Sequence, residues 1–421
     1  AKRDMHCEME QEEHDVYPDD PDFDINKARL VTTAPRICVR YECVPMRFIK
    51  HVYRIHTYAQ DGRLFEGKTP VSAFLNSSYD GSFIAGLMEL RYIQSLPVER
   101  IINYFESHGF TLKKPTAHKL MEKASSLFEN LYKCIRQTAL SDPYKAADET
   151  YYKILVPEKN SKGKGVRKGY LWVVVGINTR MIYLLYDDGS RSEKVILNEL
   201  GGCKGIIQSD GYSPYRKLES DAYPHITRIP CLQHIKRKFI DCGEDDPDAK
   251  RIVELINTLY QNEHKHKIGV DGWTVEQNLV HRKKYAPDIL GEIKDVLDDI
   301  EERGDLLPKS ELKEAITYLR NEWNAVVDIF NYGDTYLDNN IVERMNRYIS
   351  LSRKNSLFFG SHKGAERGAI LYTIALTCRM NKVNLFEYLT DVINRTAEWQ
   401  PNTPLEKYRQ LLPDRWEKAN D

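Results

Sequence analysis

Residues 146–188 read AADETYYKILVPEKNSKGKGVRKGYLWVVVGINTRMIYLLYDD. Three runs within them, DETYYKILV, GYLWVVVGI and MIYLLYDD, are rich in β-branched and aromatic residues and are joined by short polar loops. Such runs predict strands, and loops this short predict a meander in which each strand pairs with the one before it. Asp148 opens the first run. Side chains alternate faces along a strand, so Asp148 and Glu149 point oppositely and only one of them can join a given site.

Working outward, helix-like SEKVILNELG is followed by strand-like GIIQSD, helix-like SPYRKLES and strand-like ITRIPCLQH. Three antiparallel strands followed by alternating helices and strands is the order of an α/β, ribonuclease-H-like core, expected here over 141–247. Residues 248–335 are helical in pattern (RIVELINTLY, VHRKKYAPDILGEIKDVLDDIEERG, SELKEAITYLRNEWNAVVDIF). They read as an all-α insertion, because the core's closing helix arrives only at 340–350. Residues 336–395 then supply that helix and two amphipathic C-terminal ones, and 396–421 a tail. Upstream, 82–140 predicts helices: Pro97 stands at one start, Gly109 at one end, and a second helix is expected to be capped near Thr116. The helix-turn-helix shape, with Lys113, Lys114, Lys119 and Lys123 around its second helix, suits either DNA binding or ordinary α packing. Residues 36–81 read as a small β unit with two strands over 36–60, and 1–35 as an acidic flexible arm.

The 421 residues are 41% hydrophobic and 29% charged, as in a soluble globular protein. No apolar run approaches the roughly 20 residues of a membrane span, and the opening AKRDMHCEMEQEEHD holds no signal-peptide stretch. The expectation is a cytoplasmic, nucleoid-associated protein, and the initial Ala1 suggests a start further upstream. Residues 1–25 hold ten acids against Lys2 and Arg3, so with a whole-chain charge of −1 the remainder carries +7. That excess clusters at Lys159, Lys162, Lys164, Arg167 and Lys168, and again at Arg344, Arg347, Arg353 and Lys354. Clustered cations suit a phosphate backbone, although each cluster alone also suits a solvated face. Eight cysteines (Cys7, Cys38, Cys43, Cys134, Cys203, Cys231, Cys242, Cys378) form no C-x-x-C, which reads as reduced thiols with neither a disulfide framework nor a four-ligand zinc site.

Asp148 at a strand start, Asp210 at a strand end and Glu343 in the first turn of a helix form the candidate catalytic set. Carboxylates so placed can converge on two divalent ions that activate a phosphodiester for in-line attack. Each also has a structural reading. Asp148 suits the start of a strand, Asp210-Gly211 a turn, and Asn340-Ile-Val-Glu343 a helix cap, with Glu343 also four residues from Arg347. Cys231 and His234 have ligand spacing but no second pair at suitable spacing, so a buried thiol beside a hydrogen-bonded imidazole is the favoured reading over a metal site, with a His234–phosphate contact as a third. The segment Ser352–Ser361 mixes Arg353, Lys354 and Asn355 with Phe358 and Phe359, suited to following a DNA backbone with one ring stacked on a base.

At these residues the chain resembles the DDE transposases of the bacterial insertion sequence 66 family, from about residue 36 to 395. The resemblance rests on Ala147-Asp148-Glu149-Thr150, Gln208-Ser209-Asp210-Gly211-Tyr212, Cys231-x-x-His234-x-x-Arg237-Lys238-Phe239, Asp338-Asn339-Asn340-x-x-Glu343-Arg344 and the run Arg353 to Gly364. It implies a ribonuclease-H-like core with a helical insertion and a metal-binding triad of Asp148, Asp210 and Glu343 using Mg²⁺, or Mn²⁺ in its place. Double-stranded DNA is the implied substrate, cleaved and joined, with a homodimer on DNA and accessory proteins of the same element as partners. Expected DNA contacts are Lys113, Lys114, Lys119, His234, Arg237, Lys238, Arg344, Arg347, Arg353, Lys354, Asn355 and Lys363. The alternatives are a non-catalytic or domesticated DNA-binding relative and a nuclease that only cuts. Two departures stand out. Cys38 and Cys43 lack the second cysteine pair of the family's zinc-ribbon-like module, so no zinc is expected in this protein. The family's extra N-terminal segment, often able to form a coiled coil, is also missing, which implies incomplete end recognition or multimerisation.

Overall fold

The computed structural model describes residues 46–418 except 53, 55, 61–62, 67–71, 75–76, 160–162, 164, 244, 305, 398 and 401. The acidic arm, Cys7, Cys38, Cys43, Lys162 and Lys164 lie outside the described residues. Among the described residues of 46–60 the one strand is β1 (Thr57–Gln60), paired antiparallel with β2 (Arg63–Glu66). Residues 36–45, 53 and 55 of the segment expected to hold two strands lie outside the described residues. Phe48 packs its ring against Phe83, Phe105 and Phe110, an aromatic cluster that draws on residues far apart in the chain.

The helical region comprises α1 (Gly81–Met88), a π-turn over Glu89–Ile93, α2 (Val98–Ser107), α3 (Lys114–Leu127) and α4 (Glu129–Ser141). Pro97 precedes α2, and Gly109, at φ +83°, takes the left-handed conformation that ends it. The start of α3 differs from expectation. Lys113 occupies the cap and Pro115 the first turn, where proline's fixed φ suits a helix and its missing N–H costs nothing. The helix therefore begins before Thr116.

Strands β3 (Tyr144–Leu155), β4 (Val166–Gly176) and β5 (Met181–Leu185) form the predicted antiparallel meander. After α5 (Glu193–Leu200), strand β6 (Gly205–Ser209) returns parallel to β3. After the short α6 (Ser213–Arg216), β7 (Ile226–Pro230) runs parallel to β6. The resulting order is β5-β4-β3-β6-β7. Then α7 (Leu232–Ile240), α8 (Pro247–Glu263), α9 (Val275–Arg303) and α10 (Glu311–Ile329) precede α11 (Asn340–Ser356). The two-residue β8 (Phe358–Phe359) pairs with the far end of β3, and α12 (His362–Met380), α13 (Leu385–Thr396) and α14 (Leu405–Arg409) finish the chain.

One apolar core runs from Ile206 on β6 and Ile229 on β7 through Leu232, Ile235 and Phe239 of α7 into Ile252, Ile293 and Ile316 of the later helices. On the opposite edge, no further strand among the described residues pairs with β5. Its N–H groups at Ile182 and Leu184 donate to the hydroxyls of Thr377 and Thr373 on α12, at 3.2 and 2.9 Å. Hydroxyls thus satisfy a strand edge that would otherwise be open to another chain.

Candidate active site

The sheet's register positions the acids. Ala146 on β3 stands opposite Gln208 on β6, so two residues further on Asp148 is level with Asp210. Ser209 stands opposite Pro230 on β7, which brings Cys231 to the same edge. Asp210 keeps part of its turn role, its Oδ1 accepting the N–H of Tyr212 at 3.1 Å. The turn rests on Tyr318, whose hydroxyl oxygen accepts the Gly211 N–H at 2.8 Å; a Cβ at Gly211 would come within 2.5 Å of that oxygen.

Glu343 arrives from the other side of the insertion, along a path that sequence reading missed. Loop 330–339 is stitched to the ends of β3, β6 and β7. The hydroxyl of Tyr144 donates to Gln208 Oε1 at 2.6 Å and accepts the Tyr336 N–H at 3.0 Å, and Gln208 Nε2 donates to the Tyr336 carbonyl at 2.8 Å. Leu232 N donates to the Leu337 carbonyl at 2.9 Å. Asn339 donates through its side chain to the Ala147 carbonyl at 3.0 Å and through its N–H to Cys231 Sγ at 3.2 Å. From within the insertion, the buried Arg282 donates to the Tyr332 and Thr335 carbonyls, each at 2.6 Å. Gln208, Asn339 and Cys231 all belong to the motifs quoted above, and here they serve as the anchors of α11.

That docking revises two readings. Asn339, not Asn340, caps α11, and its side chain bonds across to β3 rather than to the helix's own N–H groups. Glu343 faces His234, with Oε1 3.7 Å from Nε2, while Arg347 is exposed. One turn on from Glu343, Asn346 donates to Asp148 Oδ2 at 2.7 Å, so the same helix carries Glu343 and touches Asp148. The Glu149 carboxylate does not share the Asn346 contact; it accepts from Arg191 Nε at 3.0 Å.

Negative charge gathers at Asp148. Burial, and then the negative charges of Glu149 and Asp210, push the Asp148 carboxyl up to about 8. Burial also pushes the Cys231 thiol up to about 12. Glu343 Oε1 and His234 Nδ1 are buried and have no hydrogen-bond partner among the described residues. Beside Asp210 a cavity of about 360 Å³ is walled by Arg191, Tyr212, His234, Arg237, Lys238 and Tyr318.

The remaining predicted contacts divide. Lys113, Lys119, Arg237, Lys238, Arg344, Arg347, Lys354 and Lys363 are exposed. Lys114 pairs with Glu99 at 2.7 Å, and Asn355 donates to the Ser95 carbonyl at 3.1 Å. Arg353 donates to the Tyr151 carbonyl and stacks over the Tyr151 ring at 3.9 Å, with Lys168 4.1 Å from the same ring. Phe359 is buried against Tyr152, leaving Phe358 as the exposed ring of the pair.

Residues 76–367 match the profile described as Transposase IS66 family. The chain belongs to the IS66 transposase family. Three relatives, each called an uncharacterized protein, come from Sinorhizobium fredii. The protein y4jD is 26% identical over 79% of this chain and 65% of its own length. The proteins y4hP and y4qI are 24% and 26% identical over 94% and 87% of this chain, and over 76% and 69% of their own lengths. This IS66-family chain thus spans just under two thirds of the first relative and more of the other two. Among its described residues no helix is long and apolar enough to cross a membrane.

The raised Asp148 pKa has a consequence for stability. An unfolded aspartate ionises near 3.8, whereas the folded one holds its proton to about 8. Between those values the folded state binds the extra proton, so stability falls as pH rises from about 4 to 8. In EDTA, the stability advantage of Asp148→Asn over wild type should therefore be larger at pH 8.5 than at pH 5, by about 1–3 kcal/mol. Thermal melts at both pH values test this. The same difference between the two proteins at both pH values would rule out a strained carboxylate.

Proposed function

We propose that this protein is a DNA transposase that cleaves and joins DNA strands, with Asp148, Asp210 and Glu343 holding two Mg²⁺ ions in a ribonuclease-H-like core. The observation that carries the reading is the convergence of β3, β6 and α11, which sets two acids level on adjacent parallel strands and docks the helix bearing the third through the Asn346–Asp148 bond. The strand order β5-β4-β3-β6-β7, with helices between β6 and β7 and after β7, supports the core assignment. Family membership supports DNA as the substrate.

The donor set suits the ions. All three residues offer hard carboxylate oxygens, the ligands Mg²⁺ prefers. The raised Asp148 carboxyl and the partnerless Glu343 oxygen are both relieved by added positive charge. When bound, two such ions activate an attacking oxygen and stabilise a leaving one. The protein's own residues do the positioning. Asn346 and the Glu149 N–H orient Asp148, while the Tyr212 N–H orients Asp210. Arg237 and Lys238 at the cavity offer charge to a phosphate, and exposed Arg344, Arg347 and Lys354 continue along α11 as a backbone track. Homodimerisation on DNA follows from the need to process two element ends together.

Supercoiled plasmid incubated with the protein in Mg²⁺, Mn²⁺ or EDTA tests the reading without knowledge of the end sequence. Nicked circles in either metal, none in EDTA, and joined products when pre-cut ends are supplied are the expected result. Cutting without joining would indicate a nuclease. Bound but intact DNA would indicate a non-catalytic relative.

A further inference from the structure

Cys231, His234 and Glu343 come together at the mouth of the site although 109 positions separate Glu343 from His234. One ligand atom from each lies within 4.8 Å of the other two. The spacing of Cys231 and His234 suggests a metal pair, but only the fold reveals the third member. A thiol, an imidazole and a carboxylate are together the donor set of a borderline-soft ion such as Zn²⁺, and unlike the all-oxygen set that Mg²⁺ takes.

We propose that Cys231, His234 and Glu343 form a binding site for Zn²⁺ or a similar transition-metal ion, which shares Glu343 with the all-carboxylate site. Two independent features fit such a ligand. Glu343 Oε1 is buried without a hydrogen-bond partner among the described residues, an unusual state for a carboxylate oxygen, and it faces His234 Nε2 at 3.7 Å. The Asn339 N–H already points at Cys231 Sγ at 3.2 Å, the kind of outer contact that steadies a metal-bound thiolate. On binding, the Cys231 thiol releases its proton to solvent. The thiolate and the Glu343 carboxylate then balance the two positive charges of the ion, and water fills the fourth position.

The site has a regulatory consequence, which rests on the proposed function. Glu343 cannot serve the carboxylate triad while it ligates this ion, so occupancy switches DNA cleavage off. Zn²⁺ would act as an inhibitor that Mg²⁺ has to compete against for one shared ligand.

Cobalt(II) is the probe, because thiolate ligation gives it an intense near-ultraviolet charge-transfer band. The full chain, reduced and stripped with EDTA, should bind one Co²⁺ with that band. Cys231→Ser should abolish the band, and His234→Ala and Glu343→Gln should each weaken binding tenfold or more, whereas Asp148→Asn and Asp210→Asn should keep it. Absence of the band in wild type overturns the proposal. So does a band that survives Cys231→Ser and disappears in Cys38→Ser/Cys43→Ser. In plasmid nicking, the Zn²⁺ concentration that halves each protein's own Mg²⁺-dependent rate should rise at least tenfold in Cys231→Ser; an unchanged midpoint overturns the inhibitory role. If Glu343→Gln nicks normally while the cobalt band behaves as expected, the metal site stands and the triad fails.

Discussion

Asp210→Asn and Glu343→Gln will each lower Mg²⁺-dependent plasmid nicking by about 10³-fold or more, the scale expected for losing a group that touches the reacting atoms. Both substitutions keep side-chain size and remove one negative charge, so DNA binding should hold or tighten. Asp210 bonds within the protein mainly through the Tyr212 N–H, and Glu343 through its approach to His234, so neither change removes a large packing contact. Glu149→Gln is the discriminating control. Glu149 is the neighbour of Asp148 but faces Arg191, so its loss should leave most of the nicking intact. Gel-resolved initial rates, with binding measured by fluorescence anisotropy, separate the cases. Equal nicking by wild type and Asp210→Asn would trace the activity to a contaminant and remove the carboxylate site from consideration.

The strands around Asp148 and Asp210 were legible because their signals are local. Alternation and apolar runs identify β3 to β7, and the loop lengths imply which of them pair antiparallel. What the sequence concealed is contact between distant residues. Glu343 reads locally as a capping partner or a mate for Arg347. Its neighbour is instead His234, because loop 330–339 is tied to Tyr144, Gln208 and Ala147 by bonds spanning more than a hundred residues. Arg353 and Asn355 show the converse. Read as cations and amides on a polar segment they suit DNA, but their donors are engaged by carbonyls of β3 and of the turn after the π-turn. Arg91 is similar: buried, it donates to Ser352 and Ser356 at 3.1 and 2.9 Å and joins the upstream helices to α11. No periodicity distinguishes such an arginine from one that meets a phosphate.

Arg228 is the strongest example, and its substitution should have the largest effect on stability. It projects from β7 with a fully buried side chain, pairs with the equally buried Glu322 of α10 and with Glu219, and donates to the Asp210 carbonyl at 3.2 Å. Arg228→Met leaves Glu322 buried without its main counter-charge, with Arg216, 4.0 Å away, the one other cation paired with it among the described residues. Burial already raises the Glu322 pKa and Arg228 opposes that rise, so the variant protonates Glu322 or unfolds. Breaking one half of a buried pair costs about 3–5 kcal/mol, whereas replacing both halves with apolar groups is often close to neutral. Arg228→Met should therefore unfold at a markedly lower denaturant midpoint, and Arg228→Met/Glu322→Leu should recover most of the loss. Nicking should behave differently. The double variant still lacks the guanidinium that holds the Asp210 carbonyl, so restored stability should come without full restoration of the nicking rate. If both quantities recover together, Arg228 serves only to neutralise Glu322; if stability alone recovers, it also positions the second acid of the triad.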